Sequence, residues 1–355
     1  MGAAISPCIF ALFFRLYGGF IMKKIIATIM TVFLLVGMLA GCSPLWKDRT
    51  SNKLKIVTTI FPEYDWVREI LGDKEKDADI TMLLDNGVDL HSYQPTSQDI
   101  LKISNCDMFL YVGGESDGWV EDVLKEVENK DMVVINLLEV LGDSVKTEEM
   151  VEGMQAPEEE HKENPEGEKE EEEEQSQEAD EHVWLSLKNA KVLCSYIAGK
   201  LGSLDRENAE LYEENAQNYM AKLEELDGEY QSAADSSDKK ILLFGDRFPF
   251  RYLVDDYGLD YYAVFVGCSA ETEASFETIA FLAKKTDELE LPGILTIEGR
   301  EHKIAETVVS NTRSKDQKIL TMDSMQSTTS QEAKEGKTYL SVMEKNLEVL
   351  KQALE

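Results

Sequence analysis

Four histidines occur in the 355-residue chain, at positions 91, 161, 182 and 302. Two of them stand where metal chemistry is expected. His91 lies in Gly87-Val-Asp-Leu-His-Ser-Tyr-Gln-Pro95, a turn-rich loop between a strand-like and a helix-like stretch. His182 lies in Asp-Glu-His-Val-Trp-Leu-Ser (180–186), directly after a run of glutamates. A neutral imidazole nitrogen is the commonest protein donor to divalent transition ions. Two such histidines in loops, one beside an acidic tract, point to capture of a divalent metal outside the cytoplasm. A second set of polar residues, Asp246, Glu271, Glu298 and Asp323, follows stretches that read as strands. Open α/β sheets place ligands at the C-terminal ends of parallel strands, so this shared position carries more weight than any one residue. His302, at a helix start, reads as a surface residue.

The elements that must hold these side chains alternate between strand and helix. Strands are expected at Lys55–Ile60, Asp79–Leu84, Asp107–Val112 and Met132–Asn136. Pro62 opens a helix through Leu71, as proline does at a first helical position. Thr96 with Asp99 three residues on forms a capping-box-like start for the next helix, and a further helix is expected near 118–129. From Ser186 to about Ala234 the pattern is nearly continuous helix, with a break expected near Gly202-Ser203. Tyr212, Ala216, Tyr219, Leu223, Leu226 and Tyr230 step by four and three, which is one apolar stripe of period 3.6. The stripe reads as packing surface on a spine between two folded parts. The alternation then resumes, with strands at Lys240–Phe244, Tyr261–Val266, Gly293–Ile297 and Lys318–Met322, and helices at 275–290, 301–313 and 337–354. Strands separated by helices imply α/β architecture with parallel sheets.

Composition narrows the compartment and the chemistry. Met22-Lys23-Lys24, the apolar stretch Ile25–Leu35 and Leu39-Ala40-Gly41-Cys42 have the layout of a secretory leader. The apolar part is short for a membrane span of about 20 residues. Residues 1–21 read as an upstream start-site extension. Of five cysteines, at 8, 42, 106, 194 and 268, none forms a C-x-x-C motif, and their wide spacing gives no disulfide framework. Cys106 and Cys194 read as buried small residues, and Cys268, although beside Glu271 and Glu273, reads as a packed strand-end residue. The net charge of −33 is unevenly spread, with 14 acidic and two basic residues between Pro157 and Glu181. Such a segment cannot bury apolar surface and reads as a disordered loop, either a solvated linker or a weak collector of cations. The absence of a basic patch excludes nucleic acid as a partner. No H-E-x-x-H or nucleophile-elbow pattern marks the chain as an enzyme.

Taken together, the ordered motifs resemble the zinc- and manganese-binding solute-binding lipoproteins of bacterial ABC importers. The resemblance covers residues 42–355. It rests on Gly87–Thr96, on Asp180–Ser186, on Tyr252-Leu-Val-Asp-Asp-Tyr257-Gly-Leu259, and on Lys337-Thr-Tyr-Leu-Ser-Val-Met343-Glu-Lys-Asn346-Leu. It implies two four-stranded parallel-sheet lobes bridged by a long helix, with a metal site in the cleft between them. The expected organisation is a leader and extension at 1–42 with a lipobox at 39–42, a first lobe at 53–187 carrying the acidic loop 156–181, a helical linker at 188–235, and a second lobe at 239–355. Cys42 would be the lipidated residue anchoring an extracytoplasmic protein to the cell membrane.

The resemblance also assigns ligands, and there the second lobe departs from the zinc-binding pattern. His91 and His182 match the family's first two ligands, and Asp323 its aspartate ligand. Where zinc-binding members carry a third histidine, this chain reads Gly245-Asp246-Arg247-Phe248-Pro249. Arg247 falls in the histidine column and cannot ligate, because a guanidinium stays protonated. Asp246 and Arg247 are then either near the metal or partners of its ligands. The missing donor is expected from Glu271 or Glu273, near the glutamate used by manganese-binding relatives. Two imidazoles and two carboxylates suit tetrahedral zinc at about 2.0–2.2 Å and also suit manganese, while intrinsic affinity favours zinc. The expected function is capture of Zn2+, with Mn2+ as the alternative, and delivery to an ABC permease by a monomer. An adhesin with a structural metal is the rival reading.

Overall fold

The computed structural model describes residues 53–127, 129–156, 178–269, 273–299 and 301–355. The leader, Cys42, the greater part of the acidic loop with His161, and Glu271 lie outside the described residues. Lys53–Glu355 forms one compact unit. No helix among the described residues is long and apolar enough to cross a membrane.

The first half contains β1 (Leu54–Thr58), α1 (Phe61–Leu71), β2 (Ala78–Met82), α2 (Ser97–Ser104), β3 (Met108–Tyr111), α3 (Val120–Glu126), β4 (Val133–Asn136) and α4 (Leu137–Leu141). Its strands form a parallel sheet in the order β2-β1-β3-β4. Parallel neighbours need crossover connections, and α1, α2 and α3 supply them. Thr96 and Asp99 make the expected capping box at the start of α2. Two helices follow, α5 (Leu187–Leu204) and α6 (Ala209–Ser236). The break falls at Asp205–Asn208 rather than at Gly202-Ser203, because Gly202 is absorbed into α5 and packs against Ala209.

The second half contains β5 (Ile241–Phe248), α7 (Arg251–Tyr257), β6 (Asp260–Val266), α8 (Phe276–Glu288), β7 (Gly293–Ile297), α9 (Lys303–Asn311), β8 (Lys318–Met322), α10 (Ser330–Lys334) and α11 (Tyr339–Ala353). Its strands form a second parallel sheet, β6-β5-β7-β8. β5 runs four residues further than the sequence suggests, and its pairing with β6 shifts register between Phe244 and Arg247. An irregularity of this kind re-aims the side chains beyond it, here Asp246 and Arg247.

The 28-residue α6 is about 42 Å long and reaches both halves. Its stripe is buried as the periodicity predicts. Asn215 Nδ2 donates to the Ile70 carbonyl of α1 (2.9 Å), and Tyr230 Oη donates to the Met343 carbonyl of α11 (2.7 Å). One apolar cluster runs from the first sheet through α5 and α6 to α11, while a smaller one fills the far face of the second sheet. The two sheets therefore share a core on one side and leave a cleft on the other.

Candidate metal centre

His91 sits in a single 3₁₀ turn, Leu90–Ser92, beyond the end of β2. Asp89 caps that turn by accepting from the His91 backbone N–H (3.0 Å). His182 opens a second 3₁₀ turn, Val183–Leu185, immediately before α5. Its approach is fixed by a short ladder in which Asp180 N donates to the Lys146 carbonyl (2.8 Å) and Thr147 pairs with Ala179. Tyr252 clasps the same ladder from the other lobe, donating to the Asp180 carbonyl (2.7 Å) and accepting from Lys146 N (3.0 Å). The chain on either side of the acidic segment is thus pinned beside His182.

The two rings meet with their Nε2 atoms 3.2 Å apart. Tetrahedral zinc with Zn–N bonds of about 2.0–2.1 Å separates two nitrogen donors by about 3.3 Å, so the spacing suits one shared ion. The far side of each ring is engaged. His182 Nδ1 lies 3.0 Å from Asp180 Oδ1, and a carboxylate can only accept, so Nδ1 carries the proton and Nε2 the lone pair. His91 Nδ1 lies 2.8 Å from Ser116 Oγ and 3.5 Å from Glu181 Oε2. Glu181 Oε2 is buried and accepts no hydrogen bond. Burial, and then the neighbouring His182, push the His91 imidazole down to about 3, which holds it neutral and ready to donate at physiological pH. Gly114 (φ +82°) lets Glu181 approach, since a Cβ there would lie 2.4 Å from its Oε1.

A third side chain of ligand type lies close by, in the second lobe. Cys268, two residues beyond β6, offers Sγ, and it and the two imidazoles have ligand atoms all within 4.8 Å of one another. No other such group of three donors occurs among the described residues. Gly267 makes this possible: a Cβ there would meet His182 Cε1 at 2.9 Å. The sequence reading treats Cys268 as packing. The signal that could have singled it out is its place just past the C-terminal end of β6, where open α/β sheets hold ligands.

The remaining sequence-derived positions are arranged around this group without joining it. Asp246, Arg247 and Glu273 line a cleft of about 660 Å³ together with His91 and Glu298. Arg247 spans that cleft and pairs with Asp89. Burial alone would raise the Asp89 carboxyl, but the Arg247 guanidinium outweighs it and holds the pKa below the ordinary value. Burial raises Asp246, which accepts from Arg247 N (2.9 Å). Asp323 bonds Lys337 Nζ (2.8 Å) and accepts from Met325 N (2.8 Å), while Asn346 bridges its backbone. Glu298 is half-buried and ties the ends of β7 and β8 by accepting from Ser324 N, Ser324 Oγ and Gln326 N. Burial, then Asp323, push its carboxyl up to about 7. His302 corrects the surface expectation: as the N-cap of α9 it lines the cleft, with Nδ1 buried and unpaired.

Comparison with known proteins matches this architecture to metal-uptake components. Residues 56–353 fit the family model described as zinc-uptake complex component A, periplasmic (ZnuA). The chain is 31% identical over 304 residues to the zinc-binding protein AdcA of Streptococcus pyogenes, covering 84% of this chain and 56% of that protein. It therefore spans a little over half the length of the AdcA relatives it matches. It is also 31% identical over 307 residues to the high-affinity zinc uptake system protein ZnuA of Bacillus subtilis, covering 86% of this chain and 89% of the relative. Among solved structures, the Zn(II)-bound ZnuA-like domain of Streptococcus pneumoniae AdcA superposes with a TM-score of 0.64 at 28% identity, covering 85% of this chain and 99% of that one. The metal-dependent lipoprotein YcdH of Bacillus subtilis superposes with a TM-score of 0.67 at 27% identity, with the same shares covered. These relatives are described as binding and uptake proteins rather than enzymes. With its two parallel-sheet lobes and paired cleft histidines, the chain belongs to the zinc-uptake complex component A, periplasmic family.

Proposed function

We propose that the protein captures a divalent transition metal, zinc ahead of manganese, outside the cytoplasm and hands it to an ABC permease. The observation that carries this reading is the pair of imidazole Nε2 atoms 3.2 Å apart, each ring held from behind by an oxygen. His91 and His182 supply two donors. Further donation comes from the second lobe, for which Glu271, Glu273 and Asp323 are the carboxylate candidates, Asp323 only after release of Lys337. Cys42 is the proposed lipid attachment point, and 39–42, 156–181 and 188–235 are the proposed lipobox, acidic loop and linker. Zinc is favoured over manganese because neutral nitrogen donors suit it and intrinsic affinity follows the same order.

The test is competitive titration of the metal-stripped protein with zinc and manganese, beside His91→Ala. Tight one-to-one zinc binding that requires His91 is expected. A manganese preference with zinc buffered low would move the cargo to manganese, and absence of any tight site would overturn the proposal.

A further inference from the structure

We infer that Cys268 is a metal donor, so that the cargo is gripped by two imidazoles from one lobe and a thiolate from the other. The inference rests on the metal-capture reading above and concerns which atoms select the metal. Arg247 occupies the column where a third imidazole would stand, and its guanidinium is committed to Asp89. The end of β5 therefore offers no nitrogen donor, and the donor set is completed from the end of β6 instead.

Three observations place the sulfur there. Its Sγ falls within 4.8 Å of ligand nitrogens on both His91 and His182. Its backbone is anchored, since Cys268 N donates to Glu148 Oε1 at 2.8 Å. Gly267 removes the one side chain that would separate the segment from the His182 ring. The other described cysteines are used differently: Cys106 contacts Met132 Sδ at 3.3 Å, and Cys194 is fully buried within α5.

A free thiol is protonated at neutral pH, so metal binding exchanges one bond for another. The S–H bond breaks, its proton leaves to the adjacent Glu148 carboxylate and on to solvent, and one metal–sulfur bond forms without change of oxidation state. A set of two nitrogens and one sulfur selects borderline and soft ions, zinc and cadmium among them, and discriminates against manganese, which prefers oxygen. The acidic surroundings thus attract cations in general, while the sulfur sorts them.

Cobalt(II) is the probe, because a thiolate donor gives an intense sulfur-to-cobalt charge-transfer band in the near ultraviolet, separate from the visible ligand-field bands of the ion. The expected result for the full chain is a one-to-one complex with that band, which zinc abolishes by displacement. The band should vanish in Cys268→Ser and in Cys268→Ala and persist in Cys106→Ser. Cadmium-over-manganese selectivity should fall by at least about tenfold on loss of the sulfur, the least that such sites lose even when outer partners are removed. A His91-dependent cobalt complex without the band, or a band unchanged in both Cys268 variants, overturns the assignment and leaves metal capture standing. No His91-dependent binding of cobalt or zinc overturns both. The native spectrum decides the matter even if a variant fails to fold.

Discussion

At the scale of single residues, the centre depends on groups that set the direction of each lone pair. Asp180 holds the His182 N–H at 3.0 Å and also accepts from the His182 backbone at 2.9 Å. Asp180→Asn keeps the shape but removes the charge that specifies the tautomer. Zinc affinity should fall by about 10–100-fold, the usual effect of losing a carboxylate behind a ligating imidazole. Competition against a chromophoric chelator measures this, and unchanged affinity would mean that packing against Trp184 orients the ring instead. His91 and His182 were legible in the sequence because a histidine in a turn beside acidic residues has few structural uses. Glu181 and Cys268 were not, because an acid within a glutamate run and a small thiol after an apolar strand look like solvated and packed residues. Only the contacts of Glu181 with Ser116 and Gly114, and the approach of the segment after β6 to the His182 ring, set them apart.

At the scale of elements, the strand ends decide what faces the cleft. At the register shift in β5, Asp246 and Arg247 come to line the cleft, and Arg247 there meets Asp89 of the other lobe. The side chains are 18% and 20% exposed, so the pair is neither a free surface contact nor fully desolvated. A double-mutant cycle with Asp89→Ala and Arg247→Ala, read by urea unfolding, should return a coupling of about 1 kcal/mol that shrinks as salt is added. A coupling indistinguishable from zero at low salt would remove the cross-cleft latch from the account. The helices were the most legible part, since the stripe on α6 needs only a 3.6-residue period and a core to bury it. The length of β5 was not, because Gly245-Asp246-Arg247 breaks the apolar run that marks a strand, and pairing with β6 overrides it.

At the scale of the whole molecule, buried hydrogen bonds beside the His182 turn bolt the two lobes together. Tyr339 Oη donates to the Trp184 carbonyl (2.7 Å), Trp184 Nε1 donates to the Ser324 carbonyl (2.9 Å), and Tyr339 N donates to Asp65 (2.8 Å). Trp66 and Tyr339 meet edge to face, 5.2 Å between centroids, inside the shared apolar cluster. Opening the cleft by a large hinge would break this buried set and bend α6. Metal release should therefore involve small changes near the cleft. Solution scattering should give nearly equal radii of gyration with and without zinc, and a large difference would contradict the bolted arrangement.

The sequence by itself determined the α/β class, the two successive sets of four strands, the buried face of the long helix and the two histidines. These follow from local periodicity and from residue types with narrow chemistry. Tertiary structure alone decided which donor from the second lobe comes near those histidines. Glu273, Asp246 and Asp323 all follow strands at plausible places, yet among the described histidines, cysteines, aspartates and glutamates of the second lobe only Cys268 groups within 4.8 Å of both imidazoles. The reason is geometric. A donor set spans only a few ångströms, whereas strand ends are set by sheet order, a register shift and the fit of a glycine against an imidazole, none of which is encoded in any local stretch of chain.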